Sequence, residues 1–397
     1  MLYERIIDPY KFPHSISIVE AEMIGFDEYA DRRERMFSVM QKMFDADHVE
    51  LATHTYSHPF KWDLITADSV AGKYNLKLPG YQYSPEREID GSIDFINSEL
   101  ASNGKKVELV FWSGNALPNE EVLDRVAQLG VQNINGGNTR LTRAFPTADR
   151  ISPMIRPVGK YEQIYAPVMN ENVYTNDWTG PFDGFRRVIE TFEMTESPKR
   201  LKPIGIYYHF YSGTKISAMR AMHEVYDWTM EQEIAPVFVS SYTKRVGEFR
   251  KAQVSRSIDG WWNVSGLHET QSIRWLGAAN QIDVANSTGI AGQRRLHDGL
   301  YIHPTSSGNA KFRQLDSVVK VPELVSSNGQ ITSWDKDGRF LKFRIQAQMP
   351  VQLVLKNANG CRLQGPGVTL SGKSTKSGVK FTFTQKDTGN VSLQCPA

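Results

Sequence analysis

The segment HVELATHTYSHPFKW, residues 48–62, joins a strand-like run to a polar loop. Its first part, HVELATHT (48–55), is rich in apolar and β-branched residues and predicts a strand. Two histidines, His54 and His58, stand four positions apart where that strand ends. In α/β folds the loops at the carboxyl ends of the strands carry the chemistry. The segment therefore predicts a strand of a parallel sheet that ends in a functional loop.

The regions around this segment alternate strand patterns with helical patterns up to about residue 250. Strands are predicted at 14–23, 48–55, 105–114, 131–137, 202–214 and 235–242. Helices, which have apolar residues at helical spacing, are predicted at 28–44, 84–100, 118–130 and 216–232. Such alternation is typical of a parallel sheet, either a barrel or an open sheet, and predicts an α/β architecture.

The character of the sequence changes after residue 250. Helical periodicity fades, and turns rich in Gly, Ser, Asn and Asp separate short runs such as FLKFRIQAQ, VQLVLKN, VKFTFTQ and VSLQCPA. This pattern predicts an all-β sandwich. The two cysteines of the chain, Cys361 and Cys395, both lie here, and they form either a disulfide or two unpaired buried thiols.

Composition excludes several classes of function. The 397 residues are enough for two or three domains, and contents of 40% hydrophobic and 23% charged residues are ordinary for a globular protein. A formal net charge of +2 with scattered Lys and Arg gives no basis for binding nucleic acid or an anionic membrane. No run approaches the ~20 apolar residues of a membrane span, and the start, MLYERIIDPYKF, is not a signal peptide.

The spacing of His54 and His58 allows two interpretations. Residues four apart in a first helical turn can face the same way, and two neutral imidazoles suit a divalent metal such as zinc. Alternatively, the spacing arises by chance and one imidazole binds the backbone. The wider sequence favours the metal.

The segment HTYSHP matches the His-Ser/Thr-x-x-His-Pro metal motif of the polysaccharide deacetylases, the NodB-homology group known as carbohydrate esterase family 4. The segments ATHTYSHPFKW, FWSGNALP, NINGGNT and GIYYHFYSGTK, in this order, resemble the PelA-like branch of that family. The resemblance implies a distorted (β/α)7 barrel over residues 1–250, followed by a β-sandwich over 251–397 that shapes the groove or binds carbohydrate. It also implies metal-dependent N-deacetylation of an N-acetylhexosamine exopolysaccharide, in part N-acetylgalactosamine.

The resemblance assigns roles to individual residues. His54 and His58 match the two imidazole ligands of a divalent metal ion, with zinc as the default. His209 matches the histidine that donates a proton to the leaving amine. The motif that lines the substrate groove corresponds to Trp112, Ser113 and Gly114. Side-chain chemistry adds Tyr208 and Tyr211, whose rings offer flat faces for sugars, and Asn135, which follows a strand.

One family feature is missing from this sequence. The family carries an Asp-Asp or Asp-Gly-Asp motif on its first strand, which supplies the third metal ligand and the base, and no Asp-x-Asp precedes His14. We therefore expect the first barrel strand to lie outside this chain and the deacetylase activity of the chain to be weak. Three aspartates, Asp8, Asp63 and Asp177, are the substitutes to consider, although the sequence favours a solvated or capping carboxylate for each.

Two other functions remain open at this stage. A non-catalytic polysaccharide-binding or assembly module would use a degenerate barrel and the aromatic residues of the β region, which are Trp261, Trp262, Trp275 and Tyr301. A different metallohydrolase could use the same histidine pair. The family resemblance implies a periplasmic or secreted protein whose partners are the polysaccharide and exopolysaccharide export proteins, without nucleic acid.

Overall fold

A computed structural model describes residues 1–176, 179–277, 281–315, 319–337, 340–365, 368–370 and 372–396. The chain divides into two compact units. The first comprises Met1–Gln232 and Phe238–Thr243, and the second comprises Glu233–Val237 and Lys244–Ala397. The sequence places the change at residue 251, a few residues after Lys244. Each unit is described separately below.

The first unit is built on a parallel four-stranded sheet in the order β1-β2-β3-β4. The strands are β1 His14–Ile18, β2 Val49–Thr53, β3 Val107–Phe111 and β4 Gln132–Ile134. All five residues of β2 are buried, which fits a parallel strand covered on both faces. Four predicted strands thus exist, and their parallel pairing confirms the α/β class for this unit.

Helices connect and cover these strands. The α-helices of the chain are α1 Asp8–Tyr10, α2 Glu20–Ile24, α3 Arg33–Asp45, α4 Ser92–Phe95, α5 Glu120–Gln128, α6 Val188–Glu196, α7 Ile216–Met230 and α8 Val239–Lys251. Shorter π-helical turns span Tyr3–Ile7, Arg87–Gly91 and Ile96–Leu100, and 3₁₀ turns span Asp27–Arg32, Ala148–Arg150, Glu171–Tyr174, Gly184–Arg187 and Phe210–Thr214. An antiparallel hairpin, β5 Ile155–Val158 with β6 Tyr161–Ile164, completes the unit.

The sheet brings the predicted functional loops to one edge. His54 follows β2, Trp112 follows β3 and Asn135 follows β4, so all three stand at carboxyl ends of adjacent parallel strands. Backbone hydrogen bonds continue the register past the strand ends: His54 N donates to Ile18 O at 2.8 Å. The four-residue apolar cluster Ala52, Leu109, Phe111 and Ile134 packs beneath this edge.

Two predicted strands are wrong. Residues 202–209 form no strand, and a 3₁₀ turn occupies Phe210–Thr214. Pro203 has no N–H to donate to a ladder, and the His209 N–H donates to the Glu171 carboxylate instead. Residues 235–238 likewise lie outside any element, and α8 begins at Val239, whose N–H donates to Ser15 Oγ at 3.0 Å. Side-chain acceptors replace the ladder partners that a strand needs.

The second unit is dominated by antiparallel strands, as the sequence predicts. They are β7 Gln253–Arg256, β8 Trp262–Leu267, β9 Ile273–Trp275, β10 Ile290–Leu296, β11 Gly299–Pro304, β12 Gly308–Phe312, β13 Glu323–Ser327, β14 Gln330–Asp337, β15 Phe340–Gln346, β16 Gln352–Lys356, β17 Arg362–Gly365, β18 Val368–Leu370, β19 Lys373–Thr375, β20 Gly378–Thr382 and β21 Val391–Gln394. They form sheets in the orders β19-β20-β16-β13-β10-β11-β9, β12-β8-β7 and β14-β15-β21-β17-β18.

The core of this β-rich unit contains large apolar side chains, among them Phe343, Phe381 and Leu393. Cys361 and Cys395 form a disulfide, which decides between the two alternatives that the sequence leaves open. The bond joins the residue before β17 to the residue after β21, two strands that already pair side by side. In the part of the chain that the structure describes, no helix has the length and apolar character needed to cross a membrane.

Candidate metal and substrate site

His54 is fixed in one orientation by the neighbouring strand. Its Nδ1–H donates to the carbonyl oxygen of Phe111, the last residue of β3, at 2.8 Å. That bond sets the tautomer and leaves the lone pair on Nε2, which has no hydrogen-bond partner among the described residues. Metal-ligating histidines are commonly held in this way, with the second ring nitrogen bonded to a backbone carbonyl.

His58 lies beside His54 on a tightly folded loop. The centroids of the two imidazole rings are 4.9 Å apart, with an interplanar angle of 68°. Two imidazoles that share one tetrahedral ion at bond lengths of about 2.1 Å have centroids roughly 5 Å apart. The loop reaches this arrangement through left-handed backbone at two non-glycine residues, Thr55 (φ 71°) and His58 (φ 51°). Such conformations cost energy and cluster at functional sites.

The surroundings keep both rings uncharged near neutral pH. Burial lowers the pKa of His54 well below its ordinary value, and the nearby His58 and His209 lower it further. Burial also lowers the pKa of His58, to about 4. A neutral imidazole is the form that binds a metal. The pair therefore fits a divalent cation in geometry and in protonation. The effect of His209 on the pKa values of both rings is consistent with a third histidine nearby.

A buried carboxylate anchors the middle of the histidine loop. Ser57 donates both its backbone N–H, at 2.9 Å, and its hydroxyl to Glu88, which is fully buried. The preceding residue, Arg87, binds the Glu20 carboxylate at the end of β1 and lies over the ring of Tyr56, 3.7 Å from its centroid. One helical turn thus secures the loop at two adjacent positions.

Sequence reasoning missed this anchor. The sequence held one indication of it. Glu88, Ser92 and Ile96 are spaced four residues apart in the predicted helix 84–100, so they are expected on one face of that helix. All three positions are buried, and the Ser92 hydroxyl bonds to Thr53 Oγ1 at 2.6 Å. Polar residues on an apolar helix face indicate buried polar partners, but not which loop supplies them.

The segment after β3 packs against the histidine loop. Trp62 Nε1–H donates to Ser113 Oγ at 3.2 Å, and the Ser113 hydroxyl donates to Pro59 O at 2.8 Å. Gly114 has φ +57°, and a Cβ there would lie 2.4 Å from Phe60 Cα. Only glycine allows this approach of two loops. Ser113 and Gly114 are thereby placed as supports of the histidine loop.

Two of the predicted substrate-binding residues are buried. Trp112 is 1% exposed, its Nε1–H donates to Asn133 Oδ1 at 3.1 Å, and its ring meets Trp62 edge to face. Asn135 is 2% exposed, and its Nδ2–H donates to Trp112 O at 3.0 Å. Both side chains shape the segments that follow β3 and β4.

His209 forms a dyad with a buried glutamate. The Glu171 carboxylate accepts the His209 backbone N–H at 2.9 Å, lies 3.1 Å from His209 Nδ1, and accepts the Ser212 hydroxyl at 3.0 Å. Burial raises the pKa of Glu171, but the bonds from His209 outweigh it and hold the pKa below its usual value. Glu171 is a second residue that sequence reasoning missed, because no motif surrounds it.

Two predicted tyrosines flank this dyad. The ring of Tyr211 stacks on that of His209, with centroids 5.0 Å apart and an 11° angle, and its hydroxyl donates to Asn172 Oδ1 at 2.7 Å. Tyr211 is 36% exposed, so part of its ring remains accessible. Tyr208 is half-buried, and its hydroxyl accepts from that of Tyr226 at 3.3 Å.

The three aspartates considered as substitutes for the missing Asp motif have partners outside the histidine pair or lie outside the described residues. Asp8 is paired with Lys11 at 2.8 Å. Asp63 is exposed and accepts from Asn115 Nδ2 at 2.5 Å, so it braces the loop that follows Gly114. Asp177 lies outside the described residues. Within the described ranges, no group of three or more His, Cys, Asp or Glu is arranged to hold a metal ion.

The aromatic residues of the second unit serve mainly its interior. Trp262 and Trp275 meet edge to face, with centroids 4.9 Å apart, and pack against the apolar cluster around Phe312. Tyr301 donates its hydroxyl to Asp298 at 2.7 Å. Trp261 differs, because the cations of Lys311 and Arg313 lie over its ring at 5.1 and 4.7 Å.

Comparisons with known proteins add little. No protein-family model matches this chain. No curated protein matches it either. Among solved structures it is similar to the 4-α-glucanotransferase from Thermococcus litoralis, at 8% sequence identity and a TM-score of 0.36, over 99% of this chain and 95% of that one. A likeness of that size supports no conclusion about fold or function.

Proposed function

We propose that this chain carries the site of a metal-dependent polysaccharide N-deacetylase that acts on an N-acetylhexosamine exopolysaccharide. The observation that carries the proposal is the pairing of His54 and His58. Their rings are 4.9 Å apart, and burial keeps them neutral, with one Nδ1 bonded to a backbone carbonyl. A third histidine, His209, stands close enough to influence both and is held by its own carboxylate.

His54 and His58 would hold the metal through imidazole nitrogens. A divalent cation bound there supplies a Lewis acid and lowers the pKa of water from 15.7 to roughly 7. His54 is pre-oriented for this role by Phe111 O, and the loop that carries His58 is secured through Ser57 and Glu88.

His209 would protonate the departing amine nitrogen. An amide does not expel an amine anion, so a positioned acid is needed at the leaving group. Glu171 lies at the Nδ1 edge of the ring, which places the transferable proton of the imidazolium on Nε2. Glu171 therefore acts as a positioning residue, because its contacts with the backbone N–H and Nδ1 of His209 orient the ring.

The finer points of fold and location belong to the same proposal. The four parallel strands would be part of a distorted (β/α)7 barrel, and the reaction would take place in the periplasm or outside the cell. A complete site also needs a carboxylate as third ligand and base. We therefore expect weak activity from this chain.

Zinc titration by calorimetry tests the metal site, with His54→Ala and His58→Ala as variants. We expect the intact chain to bind one zinc ion and each variant to lose at least tenfold in affinity. His297→Ala is the matched control, because His297 is exposed in the second unit. Acetate release from a partly acetylated N-acetylgalactosamine polymer should require zinc and disappear in His209→Ala.

Two results would overturn the proposal. Zinc binding that survives both histidine substitutions would place the metal elsewhere. Polymer binding that persists in chelator and in all three histidine variants, without any acetate release by the intact chain in the presence of zinc, would favour the non-catalytic binding module.

A further inference from the structure

A small cavity opens beside the His209–Glu171 dyad, entirely within the first unit. Its volume is about 220 Å³, which is below the roughly 300–1,000 Å³ of sites for drug-sized ligands. Three 3₁₀ turns and the start of α7 form its walls. It accommodates a compact ligand of one ring.

The lining combines flat apolar surfaces with hydrogen-bonding groups. Phe182, Phe185 and Tyr211 contribute aromatic rings, and the amide of Asn172 and the hydroxyl of Thr214 contribute polar atoms. A pyranose ring presents both an apolar C–H face and a rim of hydroxyls, so it matches this lining. Tyr211 also stacks on His209 of the dyad. A sugar ring that contacts Tyr211 in the cavity is therefore separated from the proposed acid, His209, by one side chain.

One cation, Lys215, lies at the cavity. The ammonium of Lys215 lies 5.3 Å from the centroid of the Phe182 ring, and no carboxylate pairs with it among the described residues. The one carboxylate in the lining, Glu171, is already engaged by His209 and Ser212. A cationic sugar therefore meets repulsion from Lys215, and the one carboxylate among the described lining residues is already engaged.

From this geometry we infer that the cavity is a monosaccharide subsite that accepts an uncharged N-acetylhexosamine unit and disfavours a hexosamine unit with a free ammonium. The inference rests on the proposed function for its substrate class. An enzyme of this kind acts where the neighbouring unit is still acetylated, so it spaces its products along the polymer instead of removing every acetyl group.

Direct binding tests the subsite without any metal. Saturation-transfer NMR in chelator at pH 6.5 compares N-acetyl-D-galactosamine with D-galactosamine, whose amine is charged at that pH. We expect the whole chain to bind the acetylated sugar at least fivefold more tightly. Lys215→Gln should bring the ratio close to one, and Phe182→Ala should weaken binding of both sugars about tenfold. Lys199→Gln, at another exposed lysine, is the control and should keep the ratio.

The outcomes separate this inference from the proposed function. Equal binding of the two sugars by the intact chain, or a ratio unchanged by Lys215→Gln, overturns the subsite while zinc binding at His54 and His58 stands. Zinc titration that fails while the sugar preference holds overturns the deacetylase instead. Because Lys215 is exposed, its variant is expected to fold, which a melting curve checks.

Discussion

Ser57, directly before the candidate metal ligand His58, donates its backbone N–H and its hydroxyl to the same carboxylate, that of Glu88. Neither residue contacts the metal in our proposal. Their contact nevertheless helps to fix the segment that carries His58, while the bond to Phe111 O orients His54. Groups behind the ligands commonly matter for metal affinity by 10- to 100-fold.

Replacing this carboxylate tests the loop anchor. Glu88→Gln keeps the size of the side chain but turns one acceptor toward the Ser57 N–H and hydroxyl into a donor. We expect zinc affinity to fall by about 10- to 100-fold, measured by calorimetry. Glu86→Gln is the control, since Glu86 is exposed on the same helix and pairs only with Arg125. Unchanged affinity in Glu88→Gln would mean that the loop holds its shape without this bond.

Two glycines with similar backbone allow a matched test of the contact between the loops. Gly114 (φ +57°) and Gly104 (φ +73°) both adopt left-handed backbone, but a Cβ at Gly104 would meet nothing within 4 Å. Gly104→Ala should cost about 1 kcal/mol of unfolding free energy for its backbone. Gly114→Ala should cost about 2 kcal/mol more, because its Cβ overlaps Pro59 and Phe60.

Urea unfolding measures both variants. Gly114→Ala should also weaken zinc binding, because the displaced Phe60 ring packs 5.5 Å from that of His58. Equal losses of stability in the two variants would show that the loops separate at little cost.

Glu171→Gln tests the positioning role through the zinc-dependent acetate release of this chain. We expect kcat to fall about 100-fold with little change in KM, because the carboxylate orients the acid and does not bind substrate. Zinc affinity and melting temperature should stay near those of the parent, which a merely structural role would not allow. Glu196→Gln, at an exposed glutamate paired with Arg200, should leave kcat unchanged.

A buried histidine away from the site predicts how stability depends on pH. His14 on β1 donates from Nδ1 to Phe12 O and bonds Tyr226 through Nε2, and burial lowers its pKa to about 4. The ordinary value in the unfolded chain is about 6.5. The neutral form is favoured by folding, so the contribution is complete above pH 6.5 and is lost as the pH falls toward 4.

Between pH 7.5 and pH 5 this loss amounts to about 2 kcal/mol of unfolding free energy. Urea unfolding of the intact chain and of His14→Asn at both pH values measures it. His48 faces His14 and is present in both proteins, so the difference isolates His14. A parallel pH dependence in the two proteins would contradict the assignment.

Hydrophobic patterns predict the elements that bury a complete face. The fully buried strand β2 and the helix α7 were both visible in the sequence, because their periodicity follows from the core that they cover. Residues 202–209 show the opposite case. Their apolar and aromatic content resembles that of a strand, yet the backbone donor at His209 finds a side-chain acceptor, Glu171, 38 positions away.

The residues of the candidate site also differ in whether the sequence predicts them. A motif with fixed local spacing points to His54 and His58, and the structure brings their rings together. The partners of the site, Glu88 and Glu171, come from distant segments and occupy no local pattern. Their roles depend on which loops the fold brings together, and that information is absent from any one stretch of sequence.

The neighbouring residues Arg87 and Glu88 contact two neighbouring residues of the histidine loop, Tyr56 and Ser57. Both contacts come from a single helical turn, so moving either side chain one position along the helix would rotate it away from its partner. In this chain they stand 29 and 30 positions after His58. A change in the length of that connection thus has to preserve both contacts together.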